Sequence, residues 1–131
     1  MIFVDTSFWF ANLIEADYYH QAAVDWFKSN TQSLVVSDYI VDELLTLLRS
    51  HDENAAAIRL GDNLFHGRVA KVIILTQEQI RKAWDLFRNY TDKDWSFTDC
   101  TSFVLIQDLK IQQAASFDHH FRQFGRVNVV P

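Results

Sequence analysis

The hydrophobic residues of this chain switch repeatedly between short unbroken runs and a helical spacing, and that alternation constrains the fold more than any other feature. Apolar runs of strand character stand at Ile2-Phe3-Val4, Leu34-Val35-Val36, Val72 to Leu75, Ala114 to Phe117 and Val127 to Val130. Helical stretches separate them. A helix capped by Thr6 or Ser7 is expected through Ile14, and a second over His20 to Ser29 with Ala22, Ala23, Trp26 and Phe27 on one face. Ser37 should cap a helix from Asp38 to Arg49, and Gly67 should end one that runs from Glu53 to His66. Thr76-Gln77-Glu78-Gln79 has the form of a capping box opening a helix to Tyr90. Phe97 to Leu109 is a further helix, and Asp118 to Phe124 a short helical turn. Strands joined by helical crossovers predict an α/β fold with a parallel sheet covered on both faces. No repeat or linker interrupts the pattern, so residues 1–131 are expected to form a single domain.

Composition narrows the class. With 49% hydrophobic residues, one Pro and three Gly, disorder and low complexity are excluded. The lone Cys100 precludes an internal disulfide framework and suits a reducing, cytoplasmic setting. Neither a secretory leader nor an apolar run of membrane-spanning length is expected. A net charge of −5 argues against a phosphate-binding protein that works through Lys and Arg alone. The charge is uneven: residues 59–93 carry seven basic side chains against four acidic ones, leaving the acidic excess to the rest of the chain.

Four acids stand in places that ordinary solvation does not explain. Asp5 ends the first strand and Asp118 follows the fourth, the positions where open α/β sheets bind ligands. Glu43 lies at the edge of the apolar arc made by Ile40, Val41, Leu44, Leu45, Leu47 and Leu48, whereas Asp42 and Arg49 point away from it. Asp99 falls among Phe103 and Ile106 in a helix apolar almost all round, where an unpaired carboxylate is costly. Each has a plain structural alternative: a cap for Asp5 and Asp118, a boundary residue for Glu43, and a capping box with Ser96 for Asp99. Together they converge on the carboxyl-end rim of one sheet. Clustered carboxylates need protons or a cation, and an oxygen-only set suits Mg²⁺ or Mn²⁺. Such a cation polarises a phosphoryl oxygen and generates hydroxide from water, as phosphodiester hydrolysis requires.

Four segments in order carry a family resemblance: Val4-Asp5-Thr6-Ser7, Val41-Asp42-Glu43-Leu44-Leu45, Asp94-Trp95-Ser96-Phe97-Thr98-Asp99-Cys100 and Ser116-Phe117-Asp118-His119-His120-Phe121. The sequence resembles PIN-domain proteins over nearly its whole length, and among them the VapC-type toxin ribonucleases. The resemblance implies a three-layer α/β/α sandwich with a Rossmann-like sheet. It implies an endoribonuclease with metal held by Asp5, Glu43, Asp99 and Asp118, the hydroxyl of Thr6 or Ser7 beside them, and Asp94 as a weaker fifth acid. It further implies a homodimer and a small cognate antitoxin covering the site. Where relatives often carry Thr before Phe-Asp, Ser116 keeps the hydroxyl. The alternatives are a PIN nuclease of RNA processing and a non-catalytic module whose acidic groove binds a basic peptide.

Other groups promise less. His119 and His120 are adjacent, so their rings are expected to diverge and no third transition-metal ligand is evident. Cys100 points into the apolar part of its helix and should be inert. The many aromatics, with Phe8, Trp9 and Phe10 in one run, are mostly expected in the core, with a surplus on the first helices free to form a dimer or antitoxin surface.

Overall fold

The computed structural model describes residues 1–131. Five strands, β1 (Ile2–Val4), β2 (Leu34–Ser37), β3 (Lys71–Ile73), β4 (Gln113–Ala115) and β5 (Asn128–Val130), form one parallel sheet in the order β3-β2-β1-β4-β5. Seven helices connect them: α1 (Thr6–Leu13), α2 (His20–Ser29), α3 (Asp38–Ser50), α4 (Asn54–Phe65), α5 (Gln77–Asn89), α6 (Phe97–Asp108) and α7 (His119–Phe124). Helices α1 to α4 pack against one another, as do α5 to α7. Right-handed crossovers in this strand order put the two groups on opposite faces. The expected α/β/α sandwich is present. Central β1 is buried along its length, as a strand covered on both sides must be, while the edge strands expose Lys71 and Asn128.

The strand order decides where a site can form. From β1 the chain crosses towards β2, and from β4 it crosses the other way to β5, so the gap between β1 and β4 is a topological switch point. Asp5 leaves the end of β1 and Ser116 to Asp118 leave the end of β4, on the two sides of that gap.

Aromatic packing fixes both exits. Phe8, fully buried on α1, stacks on Phe117 at 4.7 Å and meets the edges of Trp26 and Phe27, and Tyr19 covers the far face of Phe117 at 4.3 Å. Phe121, also fully buried, stacks on Phe3 of β1 and meets Phe103 of α6 edge-on. Each such pair adds about 0.5–1.5 kcal/mol beyond area burial. Helix α7 is therefore pinned to both the central strand and the buried helix.

Several boundaries differ from expectation for identifiable reasons. Helix α1 is capped by Asp5, not Thr6 or Ser7, because Asp5 Oδ2 accepts the Ser7 N–H. Strand β4 stops at Ala115 because the Phe117 N–H donates to Ser7 Oγ instead of the ladder. Strand β3 stops at Ile73, and the Leu75 N–H beyond it is taken by Asp38 Oδ1. Ala22 is exposed, so Ala23, Trp26 and Phe27 carry the packed side of α2. The exposed aromatics fall in two places: Phe8 and Trp9 are buried and Phe10 half-buried, but Tyr18 and Tyr19 between α1 and α2 are exposed, as are Trp84, Phe87 and Tyr90 on and just after α5.

Candidate metal centre

Three of the four acids are held by the plain roles that competed with function. Asp5 is the N-cap of α1, Asp118 the N-cap of α7, and Asp99 the third residue of a complete capping box with Ser96 on α6. A cap uses one carboxylate oxygen and can leave the other. At Asp5, Oδ2 accepts from Ser7 N at 3.3 Å, Ser7 Oγ at 2.7 Å and Ser116 Oγ at 2.9 Å. At Asp99, Oδ2 accepts from Ser96 N at 3.0 Å and His120 Nδ1 at 2.8 Å. At Asp118, Oδ1 accepts from His120 N at 2.9 Å. The second oxygen of each has no protein partner, yet none is sealed from solvent. One oxygen positions the group and the other stays open. Glu43 differs: it stands half-buried on α3, with no cap to make, where α3 meets α6.

The charges of the four acids act on one another across the rim, while the ligand atoms that lie within 4.8 Å of one another are those of Asp118, His119 and His120. Asp5 is 4% exposed, and burial is the main reason its pKa rises to about 7. The Ser7 and Ser116 hydrogen bonds oppose that rise, while the charges of Asp99 and Glu43 add to it. Burial likewise raises Glu43, reinforced by Asp99, Asp118 and, least, Asp42. Asp99 is raised by burial and by Asp118, against the stabilising contacts of Ser96 and His120. Three mutually repelling carboxyls with elevated pKa values mark a site that takes up protons or a cation.

The hydroxyls divide the labour. Ser7 Oγ spans the switch point, donating to Asp5, lying 3.3 Å from Ser116 Oγ and accepting the Phe117 N–H. Thr6 faces Glu43 closely enough to oppose the rise of its pKa, but makes no well-formed hydrogen bond, so Thr6 Oγ1 is buried and unpaired beside the acids. A hard divalent cation fits this donor set: carboxylate oxygens, several free, next to an orphaned hydroxyl.

Asp94 stands apart. It is exposed in the turn before α6, joins no side-chain hydrogen bond or ion pair, and is not among the main causes of the raised pKa of any clustered acid. The histidines correct the expectation of divergence. Their rings lie 4.4 Å apart at the start of α7, with His120 Nδ1 3.3 Å and His119 Nδ1 3.6 Å from Asp118 Oδ1. From sequence His120 is weighed only as a transition-metal ligand and set aside; its contact with Asp99 is not foreseen. Its signal was its place two residues after a capping Asp, where the first helical turn folds back over the cap. Cys100 is buried and its thiol is pushed up to about 11, as an inert cysteine should be. The largest cavity, about 620 Å³ between α3 and α4, is lined by Leu45, Ile58 and Phe65 and holds none of the four acids. A shallower cleft of about 390 Å³ runs past Glu43, Thr46 and Thr98.

Comparison with known proteins gives the family and the fold. The PIN domain family matches residues 2–127. The sequence is 34% identical to the 23S rRNA-specific endonuclease VapC20 of Mycobacterium tuberculosis, over 100% of this chain and 99% of that protein. It is 28% identical to a VapC ribonuclease of Archaeoglobus fulgidus, over 90% of this chain and 77% of that one. The crystal structure of Mycobacterium tuberculosis VapC20, described as a sarcin-ricin loop cleaving toxin, superposes with a TM-score of 0.92 at 30% identity over the full length of both. FitAB bound to a DNA fragment superposes at 0.75 with 15% identity, covering 99% of this chain and 94% of that one, a likeness of fold. No helix is long and apolar enough to cross a membrane.

Proposed function

This chain belongs to the PIN-domain family, among the VapC-type toxin ribonucleases, and we propose that Asp5, Glu43, Asp99 and Asp118 make it an endoribonuclease dependent on Mg²⁺ or Mn²⁺. The observation that carries the metal dependence is the pairing of one tied and one free oxygen on Asp5, Asp99 and Asp118, with the charge of Asp99 acting on Asp5 and that of Asp118 on Asp99. A divalent cation held there supplies a water of lowered pKa and neutralises charge on the phosphodiester. The chain's own side chains do the rest. Asp5 and Asp99 hold the cation from fixed positions, Glu43 and Asp118 complete the set directly or through water, and Thr6 Oγ1 offers an unpaired hydroxyl to a water or phosphate oxygen. Residues 1–131 act as one nuclease domain.

Since a relative 34% identical over the whole chain is named for 23S rRNA, the sarcin-ricin loop is the first RNA to try. The protein is read as cytoplasmic and homodimeric. Its antitoxin is a small protein that presents an Arg or Lys to the acidic rim, pairing with carboxylates as the cation does. The test is cleavage of ribosomal and synthetic RNAs with and without Mg²⁺ or Mn²⁺. Specific cuts that vanish with EDTA and with Asp5→Asn support the reading; metal-independent cutting, or none on any RNA, overturns it. A genomically adjacent small protein that copurifies and blocks cleavage supports the toxin role over RNA processing.

A further inference from the structure

Hydrogen bonds run without a break from Asp5 to Asp99 through the turn that opens α7. Asp5 Oδ2 accepts from Ser116 Oγ, which accepts the Asp118 N–H at 3.0 Å; Asp118 Oδ1 accepts the His120 N–H; and the His120 ring reaches Asp99 at 2.8 Å. Three acids from three elements are thereby spaced by one short turn, which Phe121 anchors against β1 and α6. His120 forms the last link. Its side chain is 15% exposed, and it is the only group outside α6 and its own cap that holds the Asp99 carboxylate. An ionised carboxylate only accepts, so Nδ1 carries a proton in this contact.

We propose that His120 is the positioning residue of Asp99: its Nδ1–H ties Oδ2 so that Oδ1 stays directed at the cation site. The inference rests on Asp99 being a metal ligand, as proposed above. Without His120, Oδ2 keeps only the capping bond from Ser96, one donor in place of two from different directions, and the carboxyl is freer to turn about it. Groups that orient metal ligands in this way change metal affinity or activity by about 10–100-fold when removed.

Two measurements test it. In the metal-free protein, long-range ¹H–¹⁵N NMR spectra of the histidines should find Nδ1 of His120 protonated; a neutral ring with its proton on Nε2 alone would overturn the tie whether or not the site binds metal. In Mn²⁺ titration by calorimetry, His120→Ala should weaken binding by about 10–100-fold at a nearly unchanged metal-free melting temperature. His120→Asn should recover most of that loss, because its amide N–H can occupy the place of Nδ1. Unchanged Mn²⁺ binding in His120→Ala overturns the proposal. So does an equal loss in His119→Ala, since the pair would then be binding the ion themselves. A wild-type protein that takes up no Mn²⁺ would defeat the metal reading of the four acids, and the protonation of Nδ1 would still decide whether His120 holds Asp99.

Discussion

The four acids form two unlike pairs. Asp5 and Asp99 are 4% and 7% exposed, and their tied oxygens take three and two hydrogen bonds. Glu43 is half-buried with only the imperfect contact of Thr6, and the Asp118 side chain is 31% exposed with one backbone donor. The first pair is ordered before any cation arrives, so binding costs it little further side-chain entropy; the second pair must be ordered on binding. On the proposed metal reading, the difference separates residues that would set the place of the ion from residues that would adapt to it.

The largest effect should separate the pairs by activity. Asp5→Asn and Asp99→Asn should reduce RNA cleavage by orders of magnitude, because each removes a charge whose position is fixed. Glu43→Gln should retain more, with its loss partly recovered at high Mn²⁺. Rates measured across a Mn²⁺ series check this. If Glu43→Gln were as inactive as Asp5→Asn at every metal concentration, the division into fixed and adaptable ligands would fail.

The second effect concerns pH. A group whose pKa is raised on folding stabilises the fold below its unfolded pKa, and that contribution is lost as pH rises through the folded value. For Asp5 the window runs from 3.8 to about 7, a displacement corresponding to about 4 kcal/mol at most. Glu43 and Asp99 act in the same direction. The metal-free protein should therefore melt at a higher temperature at pH 5.5 than at pH 8. Asp5→Asn should be more stable than the wild type at pH 8 and should flatten the profile. A metal-free melting temperature that rises from pH 5.5 to pH 8 would contradict the burial of these charges.

A smaller effect follows from the same protons. A cation competes with them, so stabilisation by Mg²⁺ or Mn²⁺ should grow from pH 5.5 to pH 8. At a free concentration of 100 times Kd it should reach about 2.7 kcal/mol. Thermal melts with and without metal at both pH values measure it. His120→Ala should shrink this gain more than Glu43→Gln does if pre-ordering of Asp99 matters most.

These pairs also explain how far the sequence could be read. The α/β alternation and the acidic positions were legible because strand ends, caps and helical arcs are local patterns. The capping box at Ser96 and Asp99 was read as the rival of function, and it is instead the means by which Asp99 is held. The same is true of the caps at Asp5 and Asp118. What could not be read was anything requiring the strand order. That Ser116 reaches Asp5 follows from β4 lying beside β1, a pairing across 111 positions that no local spacing encodes. The contact of His120 could not be read for the related reason that its partner, Asp99, sits on another helix. Glu43 stood out by its place on the apolar arc and Asp94 only by family resemblance, as a weaker fifth acid, and it is Glu43 whose charge is felt by Asp5.

The smallest effects set the boundary of the site. Asp42 is exposed on α3 and its charge raises Glu43 less than any other cause, so Asp42→Asn should leave cleavage nearly unchanged. Asp94 is exposed, unpaired and not among the main charges acting on the cluster, so Asp94→Asn should alter stability by less than about 0.5 kcal/mol and leave Mn²⁺ affinity as it is. Its neighbour Trp95 is buried and bonds Gln123 through Nε1 at 3.1 Å, which holds that turn in place and keeps Asp94 on the solvent side. Binding and cleavage should be measured separately for Asp94→Asn. Loss of cleavage at unchanged Mn²⁺ affinity would mean that Asp94 acts on the RNA and not on the cation. Loss of Mn²⁺ affinity would mean that the acids form a fixed pair, an adaptable pair and a fifth member recruited from solvent, and the division drawn from burial and tied oxygens would have to be redrawn.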